Sequence, residues 1–395
     1  MKTRLFKVVG GLAALALVAA GCAGEESGSG DEYRVLVLGG VSAEGVLADN
    51  AATSVLAAQA GVDAVNEAGG IDGRKVVISV VDDQADPTVA VTKLREAIAK
   101  DKPDLVLNSG PSTVADAILP ILDQNEILSL STVPTERSAD PEQFPLNFDL
   151  AASAGDQIRA YLPYFEEKGY AKVGILHGSS SYGEVYGASA ERIFEDAGID
   201  VLATVEYDVA ALDMTAQLEA IRSKNPDALV LDAYGAALGY VLKGVEKLGW
   251  DIPIIGDTSV SATGLISTEP PSGVLGTPAV ANLVMQVYRS AAYDPADQRV
   301  VDAVARMRER GDIRATLILA YNYDALLLVR AAAEAAGSTD PHALADALVD
   351  PSVVDAAPTA IITSYNFTEE RHDAQPDADE FAFIAPGPLE HGQFR

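Results

Sequence analysis

The segment Lys102-Pro-Asp-Leu-Val-Leu-Asn108 returns later in the chain, with one extra residue, as Asn225-Pro-Asp-Ala-Leu-Val-Leu-Asp232. Each copy is a short apolar run that follows a helical segment of similar length and ends on a polar residue. Runs of this kind, bounded by turn residues, read as buried strands of a parallel sheet. The surroundings of the first copy agree. Arg34-Val-Leu-Val-Leu-Gly39 is a strand, and Val55, Ala58, Val62 and Val65 then mark one face of a helix that Gly69-Gly70 stops. A strand follows at 76–81. Pro87 opens a helix with Val91, Leu94 and Ile98 on its buried face, and strands follow at 105–107 and 127–130. The second copy sits in the same pattern: strand 172–177, helix 186–196, strand 201–207, helix 214–223, strands 228–231 and 252–255. Two successive β-α-β-α series argue for two α/β lobes of similar topology, each a parallel sheet covered by helices on both faces.

The N-terminus decides the compartment. Lys2, Arg4 and Lys7 precede an uncharged apolar stretch at 8–20. It is shorter than the ~20 residues of a membrane-spanning helix and has the form of a secretory signal segment. It ends in Val18-Ala19-Ala20-Gly21-Cys22, small residues before the single cysteine of the chain. This resembles a bacterial lipobox, which implies a signal peptide at 1–21 and lipidation of Cys22. The Gly/Ser/Glu stretch that follows, within 22–31, reads as a flexible tether. The richest later apolar stretch, 315–336, is interrupted by Asp324, Arg330 and Glu334.

The net charge of -30 makes nucleic acid and anionic membrane surfaces poor partners. A phosphate loop, a G-x-S-x-G elbow and an H-E-x-x-H pair are all missing from the sequence. His177, His342, His372 and His391 have no metal-ligand spacing. The expectation is a binding protein without catalytic residues, metal or cofactor. Asp82-Asp83 reads as a turn, because neighbours on a strand point to opposite faces. Asp377-Ala-Asp379-Glu380 reads as a solvated loop.

Small and hydroxylic residues gather where the strands end. They include Ser109-Gly110-Pro111-Ser112-Thr113, Ser131-Thr132-Val133-Pro134-Thr135, His177-Gly-Ser-Ser-Ser-Tyr182-Gly183, Asp232-Ala-Tyr234-Gly235 and Gly256-Asp257-Thr258-Ser259. In open α/β sheets this edge is where ligands bind. Helix-end N–H groups with hydroxyls suit a carboxylate. Tyrosines suit a ligand body, and Asp257 could take an ammonium.

The run Ala64-Val-Asn66-Glu-Ala-Gly69-Gly70-Ile71-Asp-Gly73-Arg-Lys, then Asp82-Asp83-Gln-Ala-Asp86-Pro87, resembles the leucine-binding, or branched-chain amino-acid-binding, family of type I periplasmic binding proteins of ABC importers. The resemblance continues through Ser112-Thr113, Tyr182-Gly183 and Tyr234-Gly235 to Tyr323-Asp324-Ala325. It implies two Rossmann-like lobes joined by a three-crossover hinge, closing on a small-molecule ligand. It further implies Ser112, Thr113 and Thr135 on the carboxylate, with Tyr182, Tyr234 and Asp257 acting from the second lobe. Two positions depart from the family pattern: the acid Asp257 comes one residue early, and Pro134 stands where alanine is usual. The ligand classes considered are therefore amino acids, amides and small or aromatic carboxylates.

These readings assign 32–148 with 280–357 to the first lobe and 149–279 with 358–395 to the second. Crossovers are expected near Asp149, Thr277 and Thr359, on the strength of strands at 273–277 and 360–363. The expected protein is a lipid-anchored monomer outside the cytoplasmic membrane, with ABC permease subunits as partners. A sensor that presents its ligand to a membrane receptor is the alternative.

Overall fold

The structure is a computed structural model that describes residues 32–135 and 137–395. The signal segment, Cys22 and the tether lie outside the described residues.

The chain begins with β1 (Glu32–Gly39), α1 (Val46–Glu67), β2 (Lys75–Asp82), α2 (Pro87–Lys100), β3 (Leu105–Asn108), α3 (Ser112–Gln124), β4 (Leu128–Ser131) and β5 (Asn147–Asp149). These strands form one sheet in the order β2-β1-β3-β4-β5, parallel throughout. The chain continues with α4 (Ala154–Arg159), α5 (Tyr161–Lys168), β6 (Lys172–Gly178), α6 (Ser181–Asp196), β7 (Asp200–Tyr207), α7 (Thr215–Arg222), β8 (Ala228–Leu231), α8 (Ala236–Lys247), β9 (Ile254–Gly256) and α9 (Thr258–Ser261). Then come β10 (Leu283–Tyr288), α10 (Gln298–Arg310), α11 (Asn322–Ala336), α12 (Pro341–Leu348), α13 (Pro351–Val354) and β11 (Phe381–Ile384), with a closing hairpin of β12 (Leu389–Glu390) and β13 (Gln393–Phe394). The second sheet runs β11-β10-β9-β8-β6-β7, and only the β10–β11 pair is antiparallel.

The local reasons are plain in the sequence. Strands β3, β4, β8 and β9 are buried at every residue, because helices cover both faces of a parallel sheet. Asp86 caps α2 by accepting the N–H groups of Thr88 and Val89, with Pro87 in the first turn.

The chain passes between the sheets three times: from β5 into α4, from β10 into α10, and from α13 towards β11. Helices α10 and α11 return to pack on α1. The ion pair Arg306–Glu67 at 2.8 Å and the bond from the Asn322 amide to the Ser54 hydroxyl at 2.9 Å join them to it.

Three expectations are corrected. Residues 280–357 do not all belong to the first lobe, because Leu283–Tyr288 is hydrogen-bonded between β9 and β11 in the second sheet. The passage expected near Thr277 therefore falls after Tyr288. Residues 273–277 and 360–363 form no strand. The N–H groups of Ala360, Ile361 and Ile362 are held instead by the Asp324 carboxylate. Finally, the acidic run at 377–380 is not simply a solvated loop. Glu380 is buried and accepts the Thr363 N–H at 3.1 Å and the Thr363 hydroxyl.

Candidate ligand-binding site

The carboxyl ends of β1, β3 and β4 face those of β6, β8 and β9 across a cavity of about 320 Å³. That is the volume of a small-molecule site. Its wall includes Ser109 to Thr113 and Thr132 to Pro134 from the first lobe, and Tyr182, Tyr207, Asp232, Tyr234 and Ser259 from the second. Gln157 and Tyr321 close the hinge side.

The first-lobe wall is a helix start. Pro111 precedes α3 with φ -65° and ψ 167°, and no side chain caps the helix. The first N–H groups of an α-helix have no partner inside it, so those of Ser112 and Thr113 are open to a ligand. Both residues line the cavity, as the sequence suggested. Ser109 stands beside them. Its oxygen accepts from the Ser54 hydroxyl at 2.9 Å and the Asn322 amide at 2.8 Å, which leaves its own proton to point elsewhere. The buried Thr132 hydroxyl lies in the same wall, with no hydrogen-bond partner among the described residues.

Thr135 does not join this group. Its hydroxyl oxygen accepts the N–H groups of Arg137 at 3.3 Å and Ser138 at 3.2 Å, and so folds its own turn. It is absent from the cavity wall.

From the second lobe, Tyr182 and Tyr234 line the cavity as expected. The Asn50 amide of α1 donates to the Tyr234 hydroxyl, which makes a bond between lobes. Burial pushes the Tyr234 phenol up to about 12, against the lowering effect of that bond. The phenol is therefore neutral at pH 7.

Asp257 is not in the wall. It is fully buried, and its carboxylate caps α9 by accepting the Val260 N–H at 3.1 Å and the Ser259 hydroxyl at 3.0 Å. The acid that faces the cavity is Asp232, at the end of β8. Its carboxylate accepts the Gly178 N–H at 3.1 Å. Close approach is made possible by Gly183, where a Cβ would meet the Gly178 carbonyl oxygen at 2.2 Å and Asp232 Oδ2 at 2.9 Å. Burial raises the pKa of both acids, and that of Asp257 well above the usual range because the neighbouring Asp232 charge adds to the effect.

Sequence reasoning named the Asp232 loop but chose Asp257 as its acid. It did not single out Asn50, Gln157 or Tyr207. No described wall residue is a lysine or arginine. The cavity thus offers N–H groups and hydroxyls on one side, and phenols with one carboxylate on the other.

Comparison with known proteins gives the family and the fold. The sequence model of the family described as "Periplasmic binding protein" matches residues 32–379. The chain belongs to this family of ligand-binding, non-catalytic proteins. It is 26% identical over 311 residues to the Leu/Ile/Val-binding protein BraC3 of Rhizobium johnstonii, covering 77% of this chain and 79% of that one. Its fold is that of type I periplasmic binding proteins. The type 1 protein of Bordetella pertussis Tohama I superposes with a TM-score of 0.72 at 20% identity, over 92% of this chain and 99% of that one. An ABC-transporter solute-binding protein of Rhodopseudomonas palustris BisB5, solved in complex with 3,4-dihydroxy benzoic acid, superposes with a TM-score of 0.64 at 19% identity, over 80% and 84%. Among the described residues no helix is long and apolar enough to cross a membrane.

Proposed function

We propose that this protein is an extracytoplasmic solute-binding lipoprotein that closes its lobes on a small carboxylate-bearing ligand and delivers it to an ABC importer. Amino acids and simple or aromatic carboxylates are the candidate classes. The observation that carries the reading is the uncapped start of α3, with Ser109, Ser112 and Thr113 around it, in a wall whose described residues include no lysine or arginine. An anion there is held by helix-end N–H groups and hydroxyls. Relatives named as Leu/Ile/Val-binding proteins support the amino-acid class. The lipobox at Cys22 supports the anchor.

A thermal-shift screen tests it. Amino acids, their amides, aliphatic carboxylates and hydroxybenzoates are added one at a time at millimolar concentration. A ligand in hundredfold excess over its Kd adds about 2.7 kcal/mol of stability, a shift of several degrees. At least one carboxylate-bearing compound is expected to stabilise the protein. A screen in which only uncharged compounds do so overturns the reading.

A further inference from the structure

Asp232 is only 4% exposed, yet it reaches the cavity wall. Gly178 supplies one N–H bond to it, and the Ser259 hydroxyl and the Asp257 carboxyl also hydrogen-bond to it. The titratable groups that face it include Tyr161 on α5, His177 on β6, Tyr182 on α6, Tyr207 on β7 and Asp257 after β9, with the Ser259 hydroxyl beside them. None is a lysine or arginine. Of these groups His177 is the one whose charge favours the ionised Asp232, and a buried carboxylate that fronts a cavity recovers more of its desolvation cost when an incoming molecule brings a donor. Asp257 cannot serve the same end, since it is buried outside the wall and holds the start of α9.

We propose that Asp232 is the specificity-determining acceptor of this cavity, receiving a protonated amine or other N–H donor of the ligand, and that Asp257 is a positioning residue behind it. The inference rests on the solute-binding reading above. It moves the acid from the loop after β9, where the family resemblance put it, to the end of β8. Burial raises the Asp232 pKa, so the carboxylate loses its proton at a higher pH than a free aspartate. Amine affinity then rises with pH across that interval. A carboxylate ligand without an amine gains nothing from the same change.

The test uses two matched probe pairs with the whole mature protein: L-leucine with 4-methylpentanoate, and L-phenylalanine with 3-phenylpropanoate. Calorimetric affinities are measured from pH 5 to 8 for wild type, Asp232→Asn and Asp257→Asn. In wild type the amine-bearing member of at least one pair binds ten- to a hundredfold more tightly, with its advantage growing as pH rises. In Asp232→Asn that ratio falls to within threefold and no longer changes with pH. In Asp257→Asn the preference survives with a displaced pH profile. A preference lost in Asp257→Asn but kept in Asp232→Asn overturns the inference. So does a wild type that binds both members of each pair equally, an outcome that leaves the solute-binding reading standing. Failure of wild type to bind any of the four probes overturns the inference, and the carboxylate screen above then decides the broader reading alone. If Asp232→Asn does not fold, Asp232→Ser serves in its place: a preference for the amine-bearing member that survives in it overturns the proposal.

Discussion

The Asn50 side chain on α1 donates its amide proton to the Tyr234 hydroxyl at the end of the β8 loop, so a hydrogen bond ties the lobes together across the cleft. Gly235, next to Tyr234, has φ +63°, and a Cβ there would stand 3.4 Å from Val46. The lobes therefore meet at the start of α1. An ordinary hydrogen bond contributes about 0.5–1.5 kcal/mol. Tyr234→Phe keeps the ring and removes the bond, so ligand dissociation is expected to speed up by roughly two- to tenfold. Stopped-flow dissociation rates would show this, and an unchanged rate would mean that the bond does not hold the closed form.

Ser112→Ala is expected to weaken binding of a carboxylate ligand by roughly ten- to a hundredfold, because hydrogen bonds to charged groups are worth about 1.5–3 kcal/mol. Thr135→Val is expected to act differently. Thr135 holds the turn through Arg137 and Ser138 and lies outside the wall. Its loss lowers the unfolding midpoint and leaves affinity within about threefold. Titration calorimetry and thermal unfolding of the two variants separate these outcomes; equal loss of affinity in both would place Thr135 back at the site.

Asp324 stands in the first turn of α11 and is completely buried. Burial raises its pKa from 3.8 to about 6, in spite of four lowering bonds from Ala360, Ile361, Ile362 and Tyr365. The folded value lies above the unfolded one, so the folded state binds the proton more tightly. This contribution to stability is fully present below about pH 4 and is lost as pH rises through 6. Its size is about 3 kcal/mol, at about 1.4 kcal/mol per unit. His372 has the opposite sign: burial lowers its pKa, so its contribution fades as pH falls below 6.5. The difference between wild type and Asp324→Asn isolates the first effect. The variant is expected to lose less stability than wild type between pH 4 and 6.5 in urea melts. Parallel curves would rule the assignment out.

Ligand should draw the lobes together. The wall is divided between them, and hinge closure is the usual route to such a site. X-ray scattering of the protein is expected to give a smaller radius of gyration at saturation than without ligand. The same radius in both states would argue for a rigid, preformed cleft.

Cys22→Ser is expected to move the protein from the membrane fraction to the medium, or to leave the precursor uncut. Unaltered fractionation would dismiss the lipobox reading of residues 18–22.

Strands that run apolar between turn residues were legible in the sequence, and β1 to β4 and β6 to β9 lie within a few residues of where the pattern put them. Strand β10 escaped because Gln286 interrupts its apolar run. The structure explains that residue: its amide donates to the Gln157 carbonyl at 2.8 Å, a partner 129 positions away. Strand β11 joins the sheet antiparallel, after the passage back from the first lobe, and no local β-α rhythm announces it. At the site, Ser112, Thr113, Tyr182 and Tyr234 were readable because helix starts and strand ends fix where residues fall. The choice between Asp232 and Asp257 was not readable. Both follow strands, and only the backbone turn after β9, which swings Asp257 round to the Val260 N–H, separates them. Thr135 was misplaced for a similar reason: its hydroxyl satisfies the chain three residues on.

The cavity wall is shared between the lobes, so on the proposed reading the cargo is gripped fully only when both touch it. Tyr182, Tyr207, Asp232 and Tyr234 stand on one side and the α3 start on the other. Tight binding is therefore a coincidence, registered only while both halves touch the same molecule. Four contacts at about 1 kcal/mol each amount to nearly a thousandfold in affinity. A docking partner that levers the halves a few ångströms apart forfeits that factor in one stroke. On the proposed function, unloading would then need leverage on the hinge and no change in the chemistry of the wall.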